Sequence, residues 1–199
     1  MAVLSRVMLA AAAATALGVS AATVTLNFDD IAVSNVRQCG QTALSQKTPY
    51  NGFFITGGGG VGILNSTATP NCPVEEETRP YSSWSTSGSN VVYNGNGKLK
   101  FTAQGPQKII KSSFDVDLIF YDSELLLNTT VEIQTTLSGG EQELYVFHTL
   151  EDGFGPYHIE TTGAPATSVL IEALAIEPIG EGPTINTDLA VDTVVFELE

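Results

Sequence analysis

The side chains best placed to do chemistry together are three aspartates near the two ends of the chain. In TVTLNFDDI (residues 23–31) alternate side chains share a face, so Val24, Leu26, Phe28 and Asp30 point one way. In VDTVVFEL (191–198) Asp192, Val194, Phe196 and Leu198 do the same. If these strands pair antiparallel, Asp30 and Asp192 reach one end of a sheet, with Asp29 beside them. Inward-leaning carboxylates left unpaired are costly. Three arrangements answer this. A structural calcium ion takes Asp29, Asp30 and Asp192, with loop carbonyls completing about six to eight oxygen ligands. Alternatively, each aspartate accepts from backbone N–H groups of its own turn. In the third, the strands do not pair and the acids are solvated. The sequence leaves the three open.

Acid–base and nucleophilic chemistry has less to work with. His148 and His158 are the two histidines, and no G-x-S-x-G turn presents a nucleophile to either. His148 shares parity with Leu144 and Val146, which reads as the edge of a core. His158 shares parity with Glu160 on the face opposite Tyr157 and Ile159, which reads as a solvent-facing pair. Two histidines without a third ligand at suitable spacing make no zinc site. In SSFDVDLIFYD (112–122) Phe114, Val116, Leu118 and Phe120 form an inner face, and Asp115 and Asp117 face outward. Their backbone spacing of roughly 6.5–7 Å approaches that of inverting glycosidases. Nothing in the sequence raises either pKa, and exposed strand acids are ordinarily solvated. The run GGGG (57–60) precedes no phosphate-binding helix. No catalytic residue is assigned.

Aromatic side chains in or beside turns offer a different chemistry, the stacking of sugar rings through their C–H faces. Trp84 and Tyr81 lie in RPYSSWSTSG, within the irregular stretch 66–90, and Tyr50, Phe53 and Tyr93 flank turns. Packing at sheet edges is the competing role for Tyr50, Phe53 and Tyr93, and covering the core is the competing role for Trp84 and Tyr81.

These residues need a scaffold, and composition indicates which. Arg6, the apolar run Val7–Leu17 and the small residues of GVSAA make residues 1–21 a secretory signal, too short to span a bilayer. Residues 22–199 then form one domain, placed outside the cell. That mature portion has seven Lys and Arg against 22 Asp and Glu; from Ser112 to Glu199 there are 17 carboxylates and no Lys or Arg. Such a surface repels phosphate backbones, anionic headgroups and acidic polysaccharides, so nucleic acid and membrane are excluded as partners. It suits solubility in an acidic medium, or cation binding. Cys39 and Cys72 form a disulfide in an oxidising compartment. Closing their 33-residue separation is worth about 3–4 kcal/mol on the chain-entropy account. Asn65 (NST) and Asn128 (NTT) are glycosylation sequons.

Beyond the signal, the recurring pattern is alternation at period two broken by Gly, Pro, Asn and Ser. It predicts strands at 23–28, 52–56, 60–64, 90–93, 98–103, 109–121, 129–137, 142–149, 156–161, 167–175 and 190–198, with a hairpin at SGG (138–140). Many short strands without helices predict an all-β, antiparallel β-sandwich of jelly-roll type.

The segments FDD, PYNGF (49–53), SGSNVVYN (87–94), the central FDV and the closing VDTVVFEL resemble a family of small secreted jelly-roll proteins of filamentous fungi, similar to stand-alone carbohydrate-binding modules. The resemblance implies a β-sandwich with a structural calcium ion. The stretch 66–90 and the acidic C-terminal half depart from it. The expected function is non-enzymatic binding of polysaccharide or cell-wall glycan. The alternatives are an extracellular hydrolase or lyase on the same scaffold, and a secreted module that binds an extracellular protein. The missing Lys and Arg of the C-terminal half count against a lyase acting on uronates.

Overall fold

A computed structural model of the chain describes residues 21–33, 41–65, 86–119, 129–148, 155–175, 185–186 and 188–199. The strands are β1 (Ala22–Leu26), β2 (Gln41–Ala43), β3 (Phe53–Thr56), β4 (Gly62–Asn65), β5 (Asn90–Asn94), β6 (Lys98–Ala103), β7 (Ile109–Ile119), β8 (Thr129–Leu137), β9 (Gln142–His148), β10 (Tyr157–Ala175), β11 (Ile185–Asn186) and β12 (Asp188–Leu198). Every pairing is antiparallel. The protein is an all-β sandwich.

Two long strands make the sandwich from one hydrogen-bonded network. One layer runs β2–β4–β5–β12–β7–β10. In it β12 is flanked by β5 at Leu189–Val191 and by β1 at Val194–Leu198. The first half of β10 pairs with β7 up to Ala166. Its second half lies between β6 and β8, giving the other layer β3–β6–β10–β8–β9. The sequence pattern predicts two separate strands, 156–161 and 167–175. They are one strand because GAP (163–165) forms an irregularity inside the ladder, where the register shifts between Thr162 and Ala166. Such bulges bend a strand without ending it. The short strands 41–43 and 185–186 were not legible, having too few residues to show a period.

The layers meet through rings. Phe196 of β12 stacks on Phe53 of β3 at 4.3 Å and lies 5.7 Å from Phe101 of β6; Phe114 of β7 meets it edge-on at 5.9 Å. All four are fully buried. Val116, Leu118, Val131, Ile133, Val169 and Ile171 fill the space around them. Burying each such side chain contributes about 1.5–3 kcal/mol.

The period-two reading fails at four places, each for a physical reason. Val194, Phe196 and Leu198 share the inner face, but Asp192 does not. The register shifts between Asp192 and Val195, with Thr193 at φ 46°, so Asp192 stands opposite Asp115 on the face of Ala190. Phe28 is buried at φ 61°, which ends the alternation before Asp30. Asp117 is not solvated. Leu64, Val91 and Ala190 form a second buried cluster on the outer face, and Asp117, opposite Ala190, is 1 % exposed there. On β9 the aromatic residues Tyr145 and Phe147 turn to the core, leaving Leu144 and Val146 exposed at 56 % and 49 %. The parity of Leu144 and Val146 is therefore the solvent parity, and the side chain of His148 lies outside the described ones.

Candidate functional site

Strand pairing sets the chain after β1 beside the Asp192 region of β12. β1 and β12 pair with Leu26 opposite Val194. Between them lies the segment 86–90, and the carboxylates of Asp29 and Asp192 hold it. Asp29 Oδ1 accepts from the backbone N–H of Ser89 (2.8 Å) and Asn90 (3.0 Å). Asp192 Oδ2 accepts from the N–H of Thr86 (2.8 Å) and Ser87 (2.7 Å). Its Oδ1 accepts from the Ser87 hydroxyl (2.9 Å) and the N–H of Thr193 (2.7 Å). Asn90 completes the arrangement, its side-chain amide donating to the carbonyls of Phe28 and Ile31 at 2.9 and 3.0 Å. Asp30 stands apart on the surface, accepting from the Tyr50 hydroxyl at 2.6 Å.

This donor set does not suit a calcium ion. Both oxygens of the fully buried Asp192 already face N–H and O–H donors, whose positive ends repel a cation. Asp30 is directed to Tyr50 instead of toward Asp192. Among the described residues no group of three or more His, Cys, Asp or Glu side chains is arranged to hold a metal. The carboxylates accept from N–H groups, but those of a distant segment: only Asp192 also accepts from its own turn, at Thr193.

Beside it, the Thr86 hydroxyl donates to Asp115 Oδ2 (2.6 Å), and Asp115 Oδ1 lies 2.6 Å from His158 Nδ1. A contact that short to a carboxylate places a proton on Nδ1. The hydrogen bond to Asp115 raises the His158 pKa above its usual value; burial lowers it, and the Asp115 and Glu160 charges add to the rise. The carboxylate sits between hydroxyl and imidazole, so the ring has no route to deprotonate Thr86, and the trio is not a nucleophile with its base. His158 and Glu160 are the solvent-facing pair expected from parity.

Of the aromatic candidates, Tyr50 and Tyr93 pack. Tyr50 stacks on Phe28 at 5.2 Å, and burial, then its bond to Asp30, pushes its pKa above the ordinary tyrosine value. Tyr93 packs on the Leu64–Val91–Ala190 cluster, with its hydroxyl 3.4 Å from Asp188. Asn65 is half-buried at the end of β4. Trp84, Tyr81, Cys39, Cys72, Asn128 and the signal segment lie outside the described residues.

The sequence reading missed two features. Asn94, 1 % exposed, ties down the glycine run: its amide donates to the carbonyls of Gly58 (2.9 Å) and Gly60, and its Oδ1 accepts from the N–H of Asn96 and Lys98. The coincidence of GGGG with YNGNG was the available signal. The other is the outer face of the β3–β6–β10–β8–β9 layer. One register row across it reads Thr56, Lys100, Leu170, Gln134, Leu144; the next reads Lys98, Glu172, Glu132, Val146. Lys98 and Glu172 form an ion pair at 2.5 Å. With strands about 4.8 Å apart, the five-residue row spans roughly 19 Å. Among the described residues, Leu144 and Val146 are the exposed large hydrophobics. A surface of this kind combines aliphatic contact with amide, ammonium and carboxylate groups.

No protein-family model matches the chain, and no characterised protein matches it in sequence. Solved structures similar to the chain include carbohydrate-binding modules. One, in complex with β-1,4-galactotriose, is 11 % identical over 75 % of this chain and 90 % of its own, with a TM-score of 0.41. The CBM22-1 xylan-binding domain of Paenibacillus barcinonensis Xyn10C is 8 % identical over 79 % and 92 %, TM-score 0.39. A family 29 module is 11 % identical over 89 % and 92 %, TM-score 0.38. Likeness at this level fixes neither ligand nor binding residues.

Proposed function

We propose that this protein is a secreted β-sandwich that binds neutral polysaccharide on the open face of its β3–β6–β10–β8–β9 layer. The supporting observation is the exposure of Leu144 and Val146 in rows that continue into Leu170, Gln134, Lys100 and the Lys98–Glu172 pair. A pyranose ring has an apolar C–H face rimmed by hydroxyls. Aliphatic side chains desolvate the first, at about 25 cal/mol per Å² buried. Amide, ammonium and carboxylate groups satisfy the second. The face is long enough for several sugar units in a row. Excess negative charge over the chain disfavours uronate and sulfated glycans. The N-terminal segment supports export.

The test is retention of the mature protein on insoluble neutral polysaccharides, with calorimetry on soluble oligosaccharides, for wild type, Leu144→Asp and Trp84→Ala. The sheet-face reading expects Leu144→Asp to weaken binding at least about tenfold, roughly 1.4 kcal/mol, with an unchanged thermal midpoint. Retained binding in Leu144→Asp with loss in Trp84→Ala would move the site to the stretch around Tyr81 and Trp84. Wild-type protein that binds no polysaccharide refutes glycan binding altogether.

A further inference from the structure

Where β10 leaves β7 to join β8, the space between the layers turns from apolar to hydroxylic. Ser112 and Thr161, 1 % and 5 % exposed, bring their hydroxyls to 2.5 Å on one layer. From the other layer Thr135, on the inner face with Val131 and Ile133, is 7 % exposed. Its Oγ1 is buried and has no hydrogen-bond partner among the described residues. All three line one small pocket, together with Ile109, Tyr145 and Ala166. The pocket follows from the topology, since the register shift between Thr162 and Ala166 draws the β10 backbone off the β7 ladder there.

We propose that this pocket is a built hydration site holding one ordered water that joins the two layers. Its water-accessible space of about 10 Å³ is room for about one water molecule. A water needs two to four polar partners to reside in a protein interior, and three buried hydroxyls supply them. Each hydroxyl can donate or accept, so the water satisfies Thr135 Oγ1 whichever way the Ser112–Thr161 pair is oriented. The Tyr145 hydroxyl at the rim is already committed, donating to the Thr162 carbonyl at 2.9 Å, which fixes the backbone on that side of the pocket. The site ties the layers at the crossover, where hydrogen bonding between β10 and β7 lapses.

The experiment is thermal unfolding of Thr135→Val, which removes the hydroxyl while nearly keeping shape, read with water-to-protein NOE contacts at the residue 135 amide in wild type. A hydrated site loses a water-mediated bond in the variant, and the midpoint falls by about 2–4 °C; wild type shows a long-lived water. An unchanged or raised midpoint means that valine merely relieved a dry, unpaired hydroxyl, and overturns the proposal. Absence of a long-lived water contact in wild type overturns it whatever the variant does. Neither outcome bears on glycan binding, which lies on the opposite face of β8.

Discussion

Replacing Asp192 tests the stitched end of the sandwich most directly. Asp192 is fully buried and accepts three backbone N–H bonds, from Thr86, Ser87 and Thr193, plus the Ser87 hydroxyl. In Asp192→Ala those donors lose their acceptor together. A buried donor left unsatisfied costs about 1–3 kcal/mol, but the 86–87 segment is partly exposed and water can enter beside it. A net loss of about 3–5 kcal/mol is therefore expected, near 10 °C in midpoint for a chain of this size. Asp29→Ala removes two bonds to the same segment from an exposed carboxylate and should cost about 1–2 kcal/mol. Because both acids hold residues 86–90, the double variant should cost less than the two single losses combined. Urea unfolding for the free energies and thermal unfolding for the midpoints, each with and without EDTA, measure all of this. A midpoint drop under about 3 °C for Asp192→Ala refutes the hydrogen-bond argument. An EDTA-sensitive wild type would show a cation where donors are placed here.

The remaining predictions concern charge and space. His158 has a raised pKa in the fold, so its contact with Asp115 contributes stability that is fully present below the unfolded value near 6.5 and is lost as pH rises through the folded value. The ring is well exposed, so the contribution is at most about 1 kcal/mol. NMR titration should show a midpoint above the ordinary histidine value near 6.5, returning toward it in Asp115→Asn; a His158 midpoint at or below that value contradicts the contact. Gly57→Ala would place a Cβ 2.6 Å from both the Lys98 carbonyl and the Asn94 amide, and should cost about 1–3 kcal/mol. Gly139→Ala meets nothing within 4 Å and should leave the midpoint within a degree or so; equal midpoints for the two variants would mean the Asn94 tie is loose.

Most strands were legible because one face of each is buried and alternation records which one. β8 (129–137) and β6 (98–103) match the predicted ranges. Where the reading failed, both faces carried apolar residues or the backbone left the extended region. On β9, Leu144 and Val146 compete with Tyr145 and Phe147 for the core. The aromatics win because they bury more area, and period alone does not rank the two sets. In β10, Gly163 and Pro165 are turn signals that tertiary pairing overrides, since the flanking residues find partners on two different strands. Asp117 looked solvated because nothing local to it reveals that the outer face of its layer is also covered.

The terminal acids show the same limit at the level of a site. Alternation put Asp30 with Asp192 at one end if β1 and β12 paired; the strands do pair, but Asp29 holds the 86–90 segment together with Asp192, and Asp30 turns to Tyr50. Whether a carboxylate there meets a cation or a row of N–H groups depends on what the chain delivers from elsewhere, and Thr86 and Ser87 come from more than a hundred residues away. A carboxylate suits that delivery because it accepts at up to about four lone-pair sites and donates at none. An asparagine at 192 would turn two of its own donors toward N–H groups already pointing inward, and a serine has too few acceptor sites for three backbone donors. Asp29 just beyond β1 and Asp192 within β12 are thus explained by the segment they hold: the backbone donors of residues 86–90 need acceptors.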